Sequence, residues 1–383
     1  MPPEDPTPSA QWLTDPTVFA VNRRPQRSQH RTDAPRQSLN GPWEVLDTDA
    51  RAIDVADPES PASALRSASD RIATIPVPST LETSGGWRPA YVNIQMPWDG
   101  HADPEAPSVP DTNRVALYRR LFTLDEDLRG AALEGGTVLL SFGGFARALY
   151  VWCDGAFVGY CEDGYTASEF DITRLLGGAP ADTIHELVVA CYEHSSASWL
   201  EGQDSWRFHG LFRGVCLTAL PPTHVDSVRI DADFDHRSEV GRLRVKADVV
   251  DPLGGASIRA ELFDHSGAPV WSTETPRSAA TDLVSDAIPR VAPWSAESPT
   301  LYCLRLVVID RDGRTCETVA LNVGFRRFGI DNGIMTLNGR RIVFKGVNRH
   351  EFHPRKGRAL DEADMLADIR FCKLHNINAI RTS

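Results

Sequence analysis

The sequence predicts a multidomain, mostly β chain: a β-sandwich of jelly-roll type, an immunoglobulin-like sandwich, and then the opening of an α/β unit. Two observations carry this. From Ser38 to about residue 325, short strand-like runs are broken by turns and helical periodicity is nearly absent. Near residue 340 the pattern changes to strand, helix, strand. The length of 383 residues suits two or three domains.

Residues 1–37 are rich in Pro, Arg and Ser and read as an N-terminal arm. Residues 38–220 hold the runs VALYRRLFTL, TVLLSFGGF, ALYVWCDGAFVGY, HELVVACYE and GVCLTAL. The third is a hairpin, because Asp154-Gly155 supplies the positive φ angles of a two-residue turn. Many short strands must bury their faces against each other, hence the sandwich. LPPTH (220–224) is a linker, and residues 221–326 continue with GRLRVKADVV, whose alternation is that of a half-buried strand. About a hundred residues with seven or so such strands fit an immunoglobulin-like sandwich.

Residues 327–383 follow a different grammar. IVFKGVN (342–348) is expected to be a strand, residues 361–376 a helix and INAIRTS a second strand. Asp361 caps the helix, and Met365, Ile369 and Cys372 share one apolar face. The two strands should run parallel and need cover on both faces. A single unit of this kind is expected to need further chain to complete a core.

A net charge of −12 argues against general nucleic-acid binding, and the basic segment around Arg23, Arg24, Arg27, Arg31 and Arg36 reads as a packed or solvated arm. No apolar run has the length of a signal peptide core or a membrane span. Seven scattered cysteines without a C-x-x-C pair read as buried reduced thiols of a cytoplasmic protein. The segment HEFH (350–353) is not a zinc-protease helix, because the spacing is H-E-x-H, a strand precedes it and Pro354 follows.

Motifs in fixed order then carry a resemblance: SLNGPWE (38–44), VPSTLET (77–83), YVNIQMP (91–97), VWCDGAFVGY (151–160), SEFDIT (168–173), EGQDSWRFHGLFRGV (201–215), PWSAESPTLY (293–302), VGFR (323–326) and LNGRRIVFKGVNRHE (337–351). From about Thr14 to Ser383 the chain resembles the N-terminal portion of the large bacterial β-galactosidases of glycoside hydrolase family 2. The resemblance implies that residues 327–383 begin a (β/α)8 TIM barrel. It implies retaining hydrolysis of terminal β-D-galactosides such as lactose by two glutamates, one attacking the anomeric carbon and one acting as acid and base. The family's acid/base stands in an Asn-Glu dipeptide. This sequence has none, so both glutamates are expected beyond Ser383, and the 383-residue chain alone is expected to be inactive.

The resemblance assigns His350 to galactose hydroxyls at the end of the first barrel strand and Arg381 to support of the nucleophile. Asp204 receives a galactose hydroxyl and ligates sodium in a site completed by later chain, and Asn93 contacts substrate. Magnesium ligands are expected beyond residue 383. His353 is expected to be structural, and Trp152, Trp199 and Trp206 to pack in the sandwich or between domains. The loop 98–118 departs from the family beside Asn93, which bears on aglycone preference. The family implies a homo-oligomer for the full-length protein and no nucleic-acid or membrane partner. Other readings are a non-catalytic carbohydrate-binding or assembly fragment needing a partner chain, and a relative acting on a β-glucuronide or β-mannoside.

Overall fold

The computed structural model describes residues 6–28, 30–176, 178–201, 204–275 and 282–382. By internal contacts the chain divides into two units, one of residues 1–26, 35–219 and 351–364, the other of residues 27–34, 220–350 and 365–383. The segment 351–364 thus packs with the first sandwich although it follows the first barrel strand in sequence, a placement that strand periodicity does not reveal.

The first unit is a β-sandwich. A seven-stranded antiparallel sheet runs from Ala20–Val21 through Ala156–Cys161, Ala148–Cys153, His185–Tyr192, Arg114–Phe122 and Gly41–Asp49 to Ala73–Val77. A four-stranded sheet faces it, ordered Ser168–Asp171, Thr137–Phe142, Val215–Leu220 and Arg36–Ser38. Trp43, Tyr118, Val151 and Val189 from the first sheet meet Leu140, Phe142, Phe170 and Leu217 from the second in one core. The outer face of the larger sheet is buried as well. Tyr150, Trp152, Tyr160 and Tyr192 lie there under Leu13, Ile53, Val55 and Leu65. That double cover explains why every residue of Ala148–Cys153 is buried and why its sequence is an unbroken apolar run. The predicted hairpin turn is present, with Asp154 at φ 51° and Gly155 at φ 77°.

The N-terminal arm is part of this architecture. Trp12 stacks on Tyr150 at 6.0 Å between ring centroids, and the Tyr150 hydroxyl donates to the Ser9 carbonyl at 2.8 Å. Trp12 is half-buried, so it contributes part of the roughly 1.5–3 kcal/mol that full burial of a large apolar side chain gives, which helps to hold a segment with few backbone pairings of its own.

The second unit is also built on a sandwich. The long hairpin His224–Asp235 and Val240–Val250 forms one sheet with Asp282–Val284 and Ile288–Pro289. The opposing sheet runs Pro269–Glu274, Ser257–Phe263, Tyr302–Ile309, Thr315–Val323 and, from the arm, Arg31–Thr32. Leu243, Val245 and Ala247 point inward, as their alternation predicts, against Leu262, Leu304, Leu306 and Val319. The buried Glu317 carboxylate accepts from the Thr32 hydroxyl at 2.5 Å and the Val225 amide at 2.7 Å, and burial raises its pKa.

After a small three-stranded antiparallel sheet come the parallel strands Gly346–Arg349 and Ala379–Thr382, separated by the helix Glu362–Leu374. The parallel pairing is as the sequence predicts. The first strand is shorter than expected, because residues 342–345 lie outside it. Asp361 caps the helix, accepting from the Asp364 amide at 3.0 Å, and Asp364 returns the contact to the Asp361 amide at 3.1 Å. The expected apolar face is only partly covered: Cys372 is buried while Ile369 is exposed. Five cysteines are buried as predicted, but Cys303, on the outward face of Tyr302–Ile309, is exposed, and Cys316, at the margin of the second core, is half-buried.

Candidate functional site

Asn93 and Asp204, far apart in sequence, are neighbours in the first unit. The short strands Ala90–Val92 and Ser205–Arg207 pair antiparallel, with Trp206 opposite Tyr91 and Ser205 opposite Val92. The Asp204 amide extends the pairing by donating to the Asn93 carbonyl at 2.9 Å. Asp204 adopts φ 49°, a left-handed conformation that Asp tolerates better than most residues. Both side chains are exposed.

The Tyr91 hydroxyl donates to Asp204 Oδ1. That bond to the carboxylate raises the Tyr91 pKa, keeping the phenol a donor. The other Asp204 oxygen remains a hard acceptor for a hydroxyl or a cation. Trp206 stands edge-on to Tyr91 at 5.6 Å and, at 38% exposed, lies outside the sandwich core. Aromatic rings beside an amide and a carboxylate suit a sugar, whose C–H faces are apolar and whose hydroxyls both donate and accept. Sequence reading passed over Tyr91 and set Trp206 aside. The available signal was the flanking of both polar residues by aromatics two positions away on strand-like runs. Gly202 and Gln203 of the EGQDSW motif lie outside the described residues.

Trp152 is buried in the sandwich as expected. The Trp199 indole donates to the Ser108 carbonyl at 2.8 Å and sits edge-on to Trp98 at 5.0 Å.

The second unit carries the other two predicted residues, His350 and Arg381. Asn348 lies opposite Arg381 across the parallel strands, with Arg381 Nη1 and Asn348 Oδ1 at 3.5 Å. His350 follows the C-terminal end of Gly346–Arg349 directly. His350 and Arg381 therefore occupy the ends of adjacent parallel strands, the edge where a barrel gathers its chemistry. Both are exposed. His353 instead closes a loop of the first unit: its backbone exchanges bonds with Gly357 at 2.7 and 2.9 Å, and its Nδ1 accepts from the Arg355 amide at 3.1 Å.

Among the described residues no group of three His, Cys, Asp or Glu side chains could hold a metal ion. Asp204 offers one suitable oxygen for sodium, and nothing in this pair of strands suits magnesium.

Three family models account for nearly the whole chain. Residues 36–221 match the sugar binding domain of glycosyl hydrolases family 2, residues 223–326 match the model named for the family itself, and residues 328–383 match its TIM barrel domain. The chain belongs to glycosyl hydrolases family 2. Within this family, it is 50% identical to the β-galactosidase BgaC of Bifidobacterium adolescentis, over 98% of this chain and 37% of that protein. It is 40% identical to a β-galactosidase of Streptococcus thermophilus, over 97% of this chain and 36% of that protein. The fold resembles that of a β-glucuronidase from Parabacteroides merdae, with a TM-score of 0.68 at 21% identity, covering 93% of this chain and 44% of that one. The chain thus spans little more than a third of the length of these two β-galactosidases.

Proposed function

We propose that the protein is a retaining β-galactosidase and that this chain supplies its sugar-binding sandwich, its immunoglobulin-like sandwich and the first strands of its barrel. The observation that carries the reading is identity of 50% to a β-galactosidase across 98% of the chain. The pairing of Asn93 with Asp204 supports it, since both come together on one edge beside Tyr91 and Trp206. In this reading Asp204 accepts a galactose hydroxyl and gives its free oxygen to sodium, and Asn93 adds an amide contact. His350 hydrogen-bonds galactose hydroxyls more tightly in the transition state than in the ground state, which lowers the barrier. Arg381 orients the nucleophilic carboxylate and favours its ionised form. The two glutamates, set about 5–5.5 Å apart for retention, and the magnesium ligands come from chain beyond residue 383. The protein works in the cytoplasm as a homo-oligomer.

The test is turnover of aryl β-D-galactosides and aryl β-D-glucuronides by the full-length protein. Galactoside preference is expected, with Asp204→Ala lowering kcat/KM by at least about 100-fold and Asn93→Ala by about 10-fold, consistent with lost charged and neutral hydrogen bonds. A preference for the glucuronide, or an Asp204→Ala variant as active as wild type, overturns the reading.

A further inference from the structure

In the first unit four arginines, Arg147 and Arg207 buried and Arg213 and Arg358 half-buried, gather around one tyrosine. Arg147, 2% exposed, donates from Nη1 to the Tyr165 hydroxyl at 2.6 Å and to Glu201 at 2.8 Å. Arg207, 3% exposed, donates from Nη1 to the Glu201 carbonyl at 2.6 Å. Arg358 lays its guanidinium over the Tyr165 ring at 5.0 Å and near the Phe212 ring at 6.0 Å. Arg213 donates to the Tyr165 carbonyl at 2.7 Å and to Glu351 at 2.8 Å.

The charges do not balance. Four guanidiniums meet the carboxylates of Glu201 and Glu351, with Asp163 exposed at the margin. An aromatic face attracts a cation but cancels none of its charge, and arginine stays protonated at neutral pH. The excess bears on two of the four. Burial acts to lower Arg147, but Tyr165 and Glu201 outweigh it and its pKa is raised. Burial and then the charge of Arg147 bring Arg207 down to about 10, and burial with Arg147 and Arg213 nearby lowers Arg358. Two donors are also unused: the Nε atoms of Arg207 and Arg358 are buried without a hydrogen-bond partner. A buried charged donor without an acceptor is costly, so two of them on mutually repelling arginines mark a place where negative charge is missing.

We propose that this cluster is a binding site for a small inorganic anion of chloride size, held by the Nε–H groups of Arg207 and Arg358. A monovalent anion supplies the acceptor and offsets the excess charge without needing the room of a carboxylate side chain. Through Arg358 it fastens the loop 351–364, and through Arg207 it fastens the strand that follows Asp204.

The experiment uses the full-length protein and does not depend on turnover, so it stands apart from the galactosidase reading. Crystals grown without halide and soaked in bromide should show an anomalous peak within hydrogen-bonding distance of both Nε atoms. In solution, exchanging choline gluconate for choline chloride at constant ionic strength should raise the melting temperature by about 2–4 °C in a saturable way. Arg358→Met, which keeps an apolar stem on Tyr165, should remove most of that rise. Absence of the peak, with water or a carboxylate of the polypeptide in its place, overturns the proposal. So does identical stability in chloride and gluconate.

Discussion

Asp204 shows how the placing of a single carboxylate is set by its backbone as much as by its side chain. Its left-handed φ and the hydrogen bond its amide donates to the Asn93 carbonyl fix the carboxylate at a strand edge, and Tyr91 donates to one of its oxygens. The motif made Asp204 and Asn93 legible in the sequence. It could not make Tyr91 legible as a partner, because the two side chains that bond are 113 positions apart and only strand pairing joins them. Gly159 is a second residue whose meaning is steric. A Cβ there would come within 2.5 Å of the Phe170 ring and 2.7 Å of the Val21 carbonyl oxygen. Gly159→Ala is therefore expected to lower stability by about 1–3 kcal/mol through overpacking, read as a lower urea midpoint with an unchanged slope. An unchanged midpoint would mean that the arm yields freely at Val21.

Among the elements, strand Tyr302–Ile309 is the most informative. It lies between Ser257–Phe263 and Thr315–Val323 in the second sandwich, and its alternating burial was readable from sequence. Leu306 is fully buried on its inner face. Leu306→Ala should cost about 2–5 kcal/mol, measured by chemical denaturation, and a loss under 1 kcal/mol would show that the two sheets close over the cavity. The helix Glu362–Leu374 was equally readable at its start, where Asp361 and Asp364 cap it reciprocally. Its apolar face was legible as a pattern, but periodicity names residues fit for burial and not whether other chain covers them. The shortening of the first parallel strand has a related cause: a run of apolar residues does not say where the neighbouring backbone begins to pair.

At the scale of the molecule, buried ionisable groups set the response to pH. His194 is buried, edge-on to Trp98 at 5.1 Å. Burial first, and then the neighbouring His209, Arg147 and Arg207, bring its pKa down to about 3. In the unfolded chain a histidine protonates near pH 6.5. Between these values the unfolded state binds the extra proton, so stability falls as pH drops from about 6.5 toward 3, by up to about 1.4 kcal/mol per pH unit. Glu162, Glu193, Glu201 and Glu317, all raised by burial, act in the opposite direction. The prediction is therefore a difference. His194→Gln should lose less stability than the parent chain between pH 6.5 and 4.5, measured by urea unfolding at each pH. Parallel pH curves for the two would contradict it.

The sequence by itself determined the order of the architecture. Alternation and turn residues define two sandwiches, the change of period defines a parallel strand pair around a helix, and the ordered motifs name the family. These are local or additive signals, carried within a few residues of chain. Only the tertiary structure decided which distant residues meet. Backbone pairing put Tyr91 and Trp206 beside Asn93 and Asp204, and packing drew Arg358 and Glu351 into the first unit beside Arg147, Arg207 and Arg213. Such encounters depend on register and on the closing of long loops, whose cost rises only slowly with length, so spacing along the chain carries almost no record of them.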